Sequence, residues 1–375
     1  MIFLLLFLLF FGSTYYYIYT KVKAVVALSP TAKVLSFAVM FILILAPFLL
    51  EILFNYNISG ATAIAYFVYI WLAFIFIFVC SSLVIEFWRM LVRAGMFLTH
   101  KKFNYLLPSN LFALLAPFLV AVCICVYGFF AARDIRPEVI NISSPKITKK
   151  ITIAQISDLH LSAIVNQYYL QKVLAIVKDA NPDLLVSTGD LIDAMGDDFS
   201  PLAMMFAGIK PSYGKYAVTG NHEFYHGLDK ALSFIEESGF TMLREKAVPI
   251  TNEVVLAGVD DAVLLNTKAL EKKAEDKLLK TINPRKFVIL LKHRPTIIDS
   301  SLPFFDLQLS GHTHQGQIFP FGIFMGLLFK YWVGGLYHPG HADLYVSRGA
   351  GTWGPPIRFL AQPEVAIINL LPTHR

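Results

Sequence analysis

Ile151-Thr152-Ile153-Ala154-Gln155-Ile156-Ser157-Asp158-Leu159-His160 runs from an apolar stretch straight into two side chains that bind metals. The first six residues read as a strand. Beyond it, Asp158 and His160 share a face, because alternate residues of an extended chain do. One ion can therefore take both. The arrangement recurs along the chain. Gly189-Asp190, with Asp193 three residues on, follows the apolar run 184–187, and Gly220-Asn221-His222-Glu223 follows 216–218. Lys292-His293-Arg294 follows 287–291, and Gly311-His312-Thr313-His314 follows 307–309. Oxygen and imidazole donors gathered from strand ends suit a pair of divalent metals, which a hydrolase can set against a phosphate ester.

Further strand-like runs lie at 254–257, 344–346 and 365–368. A helix fits between the first two strands: Asn166 caps it, Leu170, Val173, Leu174 and Val177 fall at i, i+3, i+4 and i+7, and Asn181-Pro182 stops it. Residues 227–238 and 267–281 also read as helices. Strands alternating with helices imply layered α/β architecture, in which ligands collect at the carboxyl ends of strands. The domain expected from this texture covers 150–375, after a Pro/Ser/Thr/Lys-containing linker at 133–149 and an apolar region at 1–132.

The donors divide naturally between two ions. Asp158, His160, Asp190 and His314 take one; Asp190, Asn221, His293 and His312 take the other, with the two oxygens of Asp190 bridging. Asn221 offers a neutral carbonyl oxygen. Arg294 faces either a phosphate or an ion-pair partner. No role follows for Glu223, nor for His226, His338 and His341, which lie outside the pattern.

In this order the motifs resemble the calcineurin-like metallophosphoesterase superfamily, whose pattern is D-x-H, G-D-x-x-D, G-N-H-[ED], H and G-H-x-H. The likeness runs through most of 150–370. The tail, Ser347-Arg348-Gly349-Ala350-Gly351-Thr352 with Pro356-Ile357-Arg358-Phe359, resembles a bacterial membrane-associated branch of that family. The resemblance implies a four-layer αββα sandwich, a competent two-metal site and a metal-dependent phosphoric ester hydrolase, phosphodiesterase or phosphatase. Two ions roughly 3.5–4 Å apart would acidify a bridging water whose hydroxide attacks phosphorus. His222, not needed as a ligand, is placed to protonate the leaving oxygen, and Asp193 to orient it. One departure is Gln315, where the branch more often has Gly; it bears on local backbone geometry or substrate contact.

Residues 1–132 carry the apolar excess behind an overall hydrophobic content of 56%. Stretches 2–19, 34–54, 61–85 and 111–132 are each long enough for a bilayer, which needs roughly 20 apolar residues. An N-terminal α-helical bundle of four transmembrane helices is therefore expected, with the first an anchor rather than a cleaved signal. Lys21, Lys23 and Lys33 follow the first span; Arg89, Arg93, Lys101 and Lys102 follow the third. The positive-inside rule puts both loops in the cytoplasm and the catalytic domain outside, against the pull of Arg133 and Arg136. The expected location is a bacterial inner membrane, with multiple passes and the catalytic domain extracytoplasmic.

Composition excludes other classes. Most of the net charge of +6 belongs to the apolar region, so the polar region is near neutral and no nucleic-acid partner is expected. Cys80, Cys123 and Cys125 all fall in apolar runs, which excludes thiolate ligation and thiol catalysis. Asp/Asn/His ligation accepts Mn, Fe, Zn, Co or Ni, manganese being the natural first trial. The apolar stretch 318–329, edged by Lys330, Tyr331 and Trp332, is able to dip into a bilayer interface, or else packs on the domain core or the spans. Membrane lipids are thus expected partners, and a phospholipid or lipid-linked phosphoester or pyrophosphate the expected substrate. The alternatives are the same chemistry on a soluble nucleotide or phosphodiester, or a catalytically silent metal-binding interaction module.

Overall fold

The computed structural model describes residues 2–193, 199–225, 227–263 and 268–373. The chain divides into two compact units, Met1–Phe129 and Phe130–Arg375. His226 and the first residue of the helix expected at 267–281 lie outside the described residues.

The first unit is helical: α1 (Ile2–Lys23), α2 (Pro30–Asn55), α3 (Ala61–Thr99) and α4 (Asn110–Ala131), with a 3-10 turn at Asn104–Leu106. Ser29 caps α2, its hydroxyl accepting the Ala32 amide at 3.2 Å, and Pro30 opens the first turn where no amide is needed. Three segments, Pro30–Asn55, Ala61–Thr99 and Asn104–Ala131, are long and apolar enough to cross a membrane. Helix α1 occupies the first expected span. Helix α3 outruns its expected span: 39 residues make about 58 Å at 1.5 Å per residue, against a hydrocarbon core of about 30 Å. On its extension Glu86 binds Lys21 from the end of α1 and, at 3.0 Å, Arg89; Arg89 also donates to Pro108 O (2.7 Å) and Asn110 Oδ1 (3.2 Å) beside α4. Glu86 thus ties the end of α1 to the extension of α3.

The second unit contains two six-stranded sheets. One comprises β1 (Arg136–Ser144), β2 (Ile151–Ile156), β3 (Leu184–Ser187), β4 (Lys215–Ala217), β5 (Thr241–Met242) and β12 (Glu364–Pro372), ordered β1-β12-β2-β3-β4-β5. The other comprises β6 (Lys246–Pro249), β7 (Val254–Gly258), β8 (Phe287–Leu291), β9 (Leu307–Ser310), β10 (Gly335–Tyr337) and β11 (Asp343–Val346), ordered β10-β11-β9-β8-β7-β6. Ile153, Val186 and Ile368 of the first sheet pack against Leu256, Ile289 and Leu309 of the second in one buried core, so the sheets stack face to face. Helix α5 (Gln167–Ala180) covers β12 with Leu170, Val173, Leu174 and Val177 turned inward. Beyond the second sheet, Leu279 of α9 (Lys268–Leu279) packs on Val288 and Leu290. The order of layers is αββα. Helices α6 (Ser200–Ala207), α7 (Asn221–Tyr225), α8 (Leu228–Glu237) and α10 (Phe321–Leu328) fill the connections.

One boundary needs correcting. The linker expected at 133–149 contains β1, which pairs in parallel with β12 from Arg136↔Glu364 to Ser144↔Pro372. Ile140 and Ile142 point into the core while their neighbours stay open, and two prolines with several Ser/Thr/Lys obscured this alternation. Only residues 132–135 lie between α4 and this strand.

Candidate functional site

Parallel pairing brings the chemistry to one edge. β2, β3 and β4 run side by side with Ile156↔Ser187 and Ser187↔Ala217 in register, so the residues following them, Asp158, Asp190 and Asn221, emerge together. In the other sheet Leu291↔Leu309 aligns β8 with β9, and His293, His312 and His314 follow. Asp158 joins the two edges, its oxygens accepting the His312 amide at 2.9 and 3.0 Å.

The backbone is unusual at these positions. Asp158, His160, Asp190, His312 and His314 all have φ between 47° and 72°, a region that side-chain-bearing residues seldom adopt. Such strain gathers where a structure is built for a function. Gly220 is required by close approach: a Cβ there would lie 2.2 Å from Asp190 Oδ1.

Two donor clusters result. In one, Asp190 Oδ2, Asn221 Oδ1 and His312 Nδ1 lie 3.2, 3.2 and 3.1 Å from His293 Nε2. His293 Nδ1 faces Thr188 O at 2.8 Å, so that nitrogen carries the hydrogen and Nε2 turns a lone pair inward. In the other, His314 Nε2 is 3.0 Å from His160 Nε2 and 3.5 Å from Asp158 Oδ1, with Asp190 Oδ2 3.7 Å from His160 Nε2. The groups Asp158/His160/His314 and Asp190/His293/His312 each have one ligand atom apiece within 4.8 Å of one another. So many acceptor atoms repel one another unless a cation lies between them.

Electrostatics fit a cation as well. Burial works against an ionised Asp190, yet His293, His160 and His222 hold its carboxyl well below the usual range. Burial, with the Asp190 charge, pushes Asp158 up. Burial lowers His312 and His314 well below the ordinary imidazole value; next come the His293 charge for His312 and the His160 and Arg358 charges for His314. They stay neutral, as ligands must. His293 is pushed up to about 10: burial opposes protonation, but Asp190 and Asp158 outweigh it. The carboxylates that would hold that proton suit a metal in its place. Among the described residues, His160 Nδ1 is also buried without a hydrogen-bond partner.

His222 stands beside the clusters with Nδ1 2.5 Å from Asp193 Oδ1, and its amide donates to Asp190 Oδ1 at 2.9 Å. Burial lowers its affinity for a proton; the Asp193 bond and the charges of Asp190, Asp193 and Glu223 override this and raise it to about 9. Asp193 Oδ2 also lies 3.5 Å from His160 Nδ1, so one carboxylate faces both rings. All nine sequence-selected side chains thus converge.

Some neighbours acquire functions the sequence did not disclose. Glu223, fully buried, accepts the amides of Asp190 (3.0 Å), Leu191 (2.7 Å) and Gly220 (2.7 Å), fastening two site loops together. Glu223→Gln turns a donor toward these amides; leaving one unpaired costs about 1–3 kcal/mol. The expected result is a melting temperature lowered by about 2–4 °C per kcal/mol, together with weaker metal retention, read by thermal denaturation and metal analysis. An unchanged melting temperature would contradict this role. Arg358, 1% exposed, donates to the carbonyls of Arg348 (2.7 Å), Gly351 (2.6 Å) and Ala361 (3.1 Å), and its Nη2 reaches His314 Nδ1 at 3.1 Å. It fixes the ring with Nε2 toward Asp158. Arg294 takes the ion-pair reading, with Asp261 held at 2.8 and 3.1 Å. At Gln315 the backbone has φ 52°, the conformation for which Gly is favoured; its amide stitches Leu360 O (3.0 Å) to Gly334 N (3.2 Å). His338 pairs with Asp343 at 2.6 Å.

The sequence model described as calcineurin-like phosphoesterase matches residues 151–316. A protein of Aquifex aeolicus (strain VF5) named as an uncharacterized metallophosphoesterase is 37% identical over 257 residues, covering 67% of this chain and 97% of that one. The chain belongs to the calcineurin-like metallophosphoesterases. A metallophosphoesterase of Bacillus subtilis (strain 168) is 31% identical over 66% of this chain and 91% of its own. A Danio rerio protein named as a transmembrane protein with metallophosphoesterase domain is 28% identical, covering 67% of this chain and 61% of that one. This metallophosphoesterase is a metal-dependent phosphoester hydrolase that uses divalent metal, and its apolar helices associate it with a membrane.

Proposed function

We propose that this metallophosphoesterase is anchored by four helices in a bacterial inner membrane, its catalytic domain extracytoplasmic, and that it hydrolyses a lipid-linked phosphoester or pyrophosphate. The observation that carries the lipid reading is α10. Ile323 (57%), Phe324 (56%), Leu327 (80%) and Leu328 (74%) are exposed on it, so the segment does not pack into the core. Its other face is closed by Trp332, whose indole lies where a Cβ on Gly322 or Gly326 would fall (2.4 and 2.8 Å). Just beyond the helix, the Phe329 ring is 5.2 Å from that of His312. An apolar helix with Lys330 and aromatic side chains at its edge, next to the donor cluster, suits a headgroup held at the interface.

Asp158, His160, Asp190 and His314 would hold one divalent ion and Asp190, Asn221, His293 and His312 the other, Asp190 bridging. Bound there, the ions would supply an acidified water and offset phosphate charge. His222 delivers a proton to the departing oxygen, and Asp193 keeps its ring turned for that transfer. Asn221, neutral, leaves room for the negative charge of the phosphate. Arg358 and Glu223 hold the ligand loops without touching substrate.

The triple variant Phe321→Ser, Ile323→Ser and Phe324→Ser tests the lipid reading. Each side chain withdrawn from the interface forfeits about 1.5–3 kcal/mol. Hydrolysis of a detergent-presented phospholipid is expected to fall at least about tenfold, while turnover of bis-p-nitrophenyl phosphate stays near wild type. Equal effects on both substrates, or wild-type cleavage of soluble diesters with no gain from lipid, would favour a soluble substrate.

A further inference from the structure

Two large aromatic side chains beside His222 have no function in the proton transfer just described. The Tyr225 ring centroid is 5.6 Å from the imidazole at 65°, and that of Trp353 is 5.8 Å away at 76°. Neither ring stacks flat on His222. Tyr225 and Trp353 are 62% and 54% exposed, so neither is consumed by the core. A single exposed aromatic needs no explanation. Two of them, from α7 and from the loop before β12, meeting at one imidazole are a different matter.

The loop bearing Trp353 is fastened in place. The Gln317 side chain accepts the Trp353 amide at 2.8 Å and donates to Trp353 O and Pro355 O, each at 3.0 Å. Gln317 itself is buried and has φ 54°. Arg358 holds the same loop from beneath through the Gly349 and Gly351 carbonyls, at 3.2 and 2.6 Å. The backbone beneath Trp353 is therefore pinned by buried groups, while its ring is left open. That is how a contact surface is built.

We infer that Tyr225 and Trp353 form a ring-contact site for the group that leaves with the His222 proton, and that this group carries a ring, nucleobase or sugar, whose face meets theirs. The inference rests on the assignment of His222 as proton donor. Whatever oxygen His222 protonates must lie within hydrogen-bond reach of its ring, about 2.6–3.2 Å. The remainder of the leaving group then falls among rings whose centroids are less than 6 Å from that imidazole. Tyrosine and tryptophan present large π faces at low entropic cost, and a nucleobase or the face of a sugar satisfies them, whereas an acyclic alcohol does not. The lipid contact at α10 and the ring site at Trp353 lie against different histidines, His312 and His222. The two halves of one substrate thus find separate surfaces.

The test is equilibrium binding, with phosphate release followed in parallel so that only intact ligand is counted. The full chain in detergent, loaded with Mn²⁺, is titrated calorimetrically with uridine 5′-monophosphate, glucose 1-phosphate and glycerol 3-phosphate, all of which carry the same phosphate. Wild type is expected to bind at least one ring-bearing phosphate about tenfold more tightly than glycerol 3-phosphate. Trp353→Ala should erase most of that preference and Trp353→Phe keep it; Tyr225→Ala should act in the same direction. Preference for the nucleotide alone assigns the contacted ring as a base, and preference shared with glucose 1-phosphate assigns it as a sugar. Equal affinity for all three in wild type, a uniform loss in Trp353→Ala, or no binding by any of them would overturn the inference. Failure of the lipid reading shows instead in the α10 variant, and failure of metal-dependent hydrolysis in turnover, so the three are separable.

Discussion

Asp190→Ala is expected to lower hydrolysis of any phosphoester by about a thousandfold or more and to strip metal from the protein. The reason is position. Asp190 Oδ2 is 3.2 Å from His293 Nε2 and 3.7 Å from His160 Nε2, the only carboxylate among the site residues that faces a ring of each donor cluster. Its removal leaves several buried imidazoles without the negative charge that offsets bound cations. Metals supply several kcal/mol of transition-state stabilisation, and each 1.36 kcal/mol is a factor of ten, hence the size of the loss. Metal analysis should show the deficit directly, and added Mn²⁺ should recover little. Asp190 Oδ1 also accepts the His222 amide at 2.9 Å, so the proton donor shifts as well. Full metal content in the variant would contradict the bridging assignment.

His222→Ala should behave differently: metal content intact, kcat reduced by about 10²–10⁴-fold for an alkyl leaving group, as is usual when a general acid is removed. With p-nitrophenolate, which departs without help from a proton, the loss should be much smaller. That contrast separates a proton donor from a ligand. The pH dependence follows from the shifts at this residue. Asp193 and the neighbouring charges raise His222 to about 9 against the effect of burial, so the protonated acid persists through neutral pH and is lost as pH rises through that value. Bound cations act the other way and bring the alkaline limb lower. Asp193→Asn replaces the charged acceptor 2.5 Å from His222 Nδ1 with a neutral one, so its limb should move further toward acid pH with metal retained. A limb that stays in place in Asp193→Asn would show that another group titrates.

The convergence of the nine candidate side chains was legible because each sits within a few positions of a strand that the apolar pattern exposes, and parallel pairing aligns the strand ends. Every strand expected from an apolar run is present, from β2 to β12, as are α5, α8 and α9. What escaped was held by tertiary contact. β1 shows its alternation only because β12 lies beside it for nine residues, Arg136↔Glu364 through Ser144↔Pro372. Short α7 begins at Asn221, where the chain turns under the Asp190 carboxylate, and no apolar period marks five residues. Glu223 and Arg358 bind backbone amides and carbonyls from distant loops, and no spacing in the sequence records such partners. Trp353 was quoted by no motif; its placement depends on the Gln317 amide 36 residues away. In α10 the stretch was legible as apolar, but its exposure was not, since packing on the core depends on tertiary contacts that no apolar run records.

The most direct measurement is metal content and metal-dependent turnover on one preparation. The full chain, purified in mild detergent and dialysed, is assayed by elemental analysis and by hydrolysis of bis-p-nitrophenyl phosphate before chelation, after it, and after Mn²⁺ is returned. A two-ion phosphoesterase should bind close to two ions per chain, lose turnover on chelation and regain it with Mn²⁺, and Asp190→Ala should show a metal deficit and negligible turnover throughout. Turnover that survives chelation, or that Asp190→Ala retains, would contradict the account.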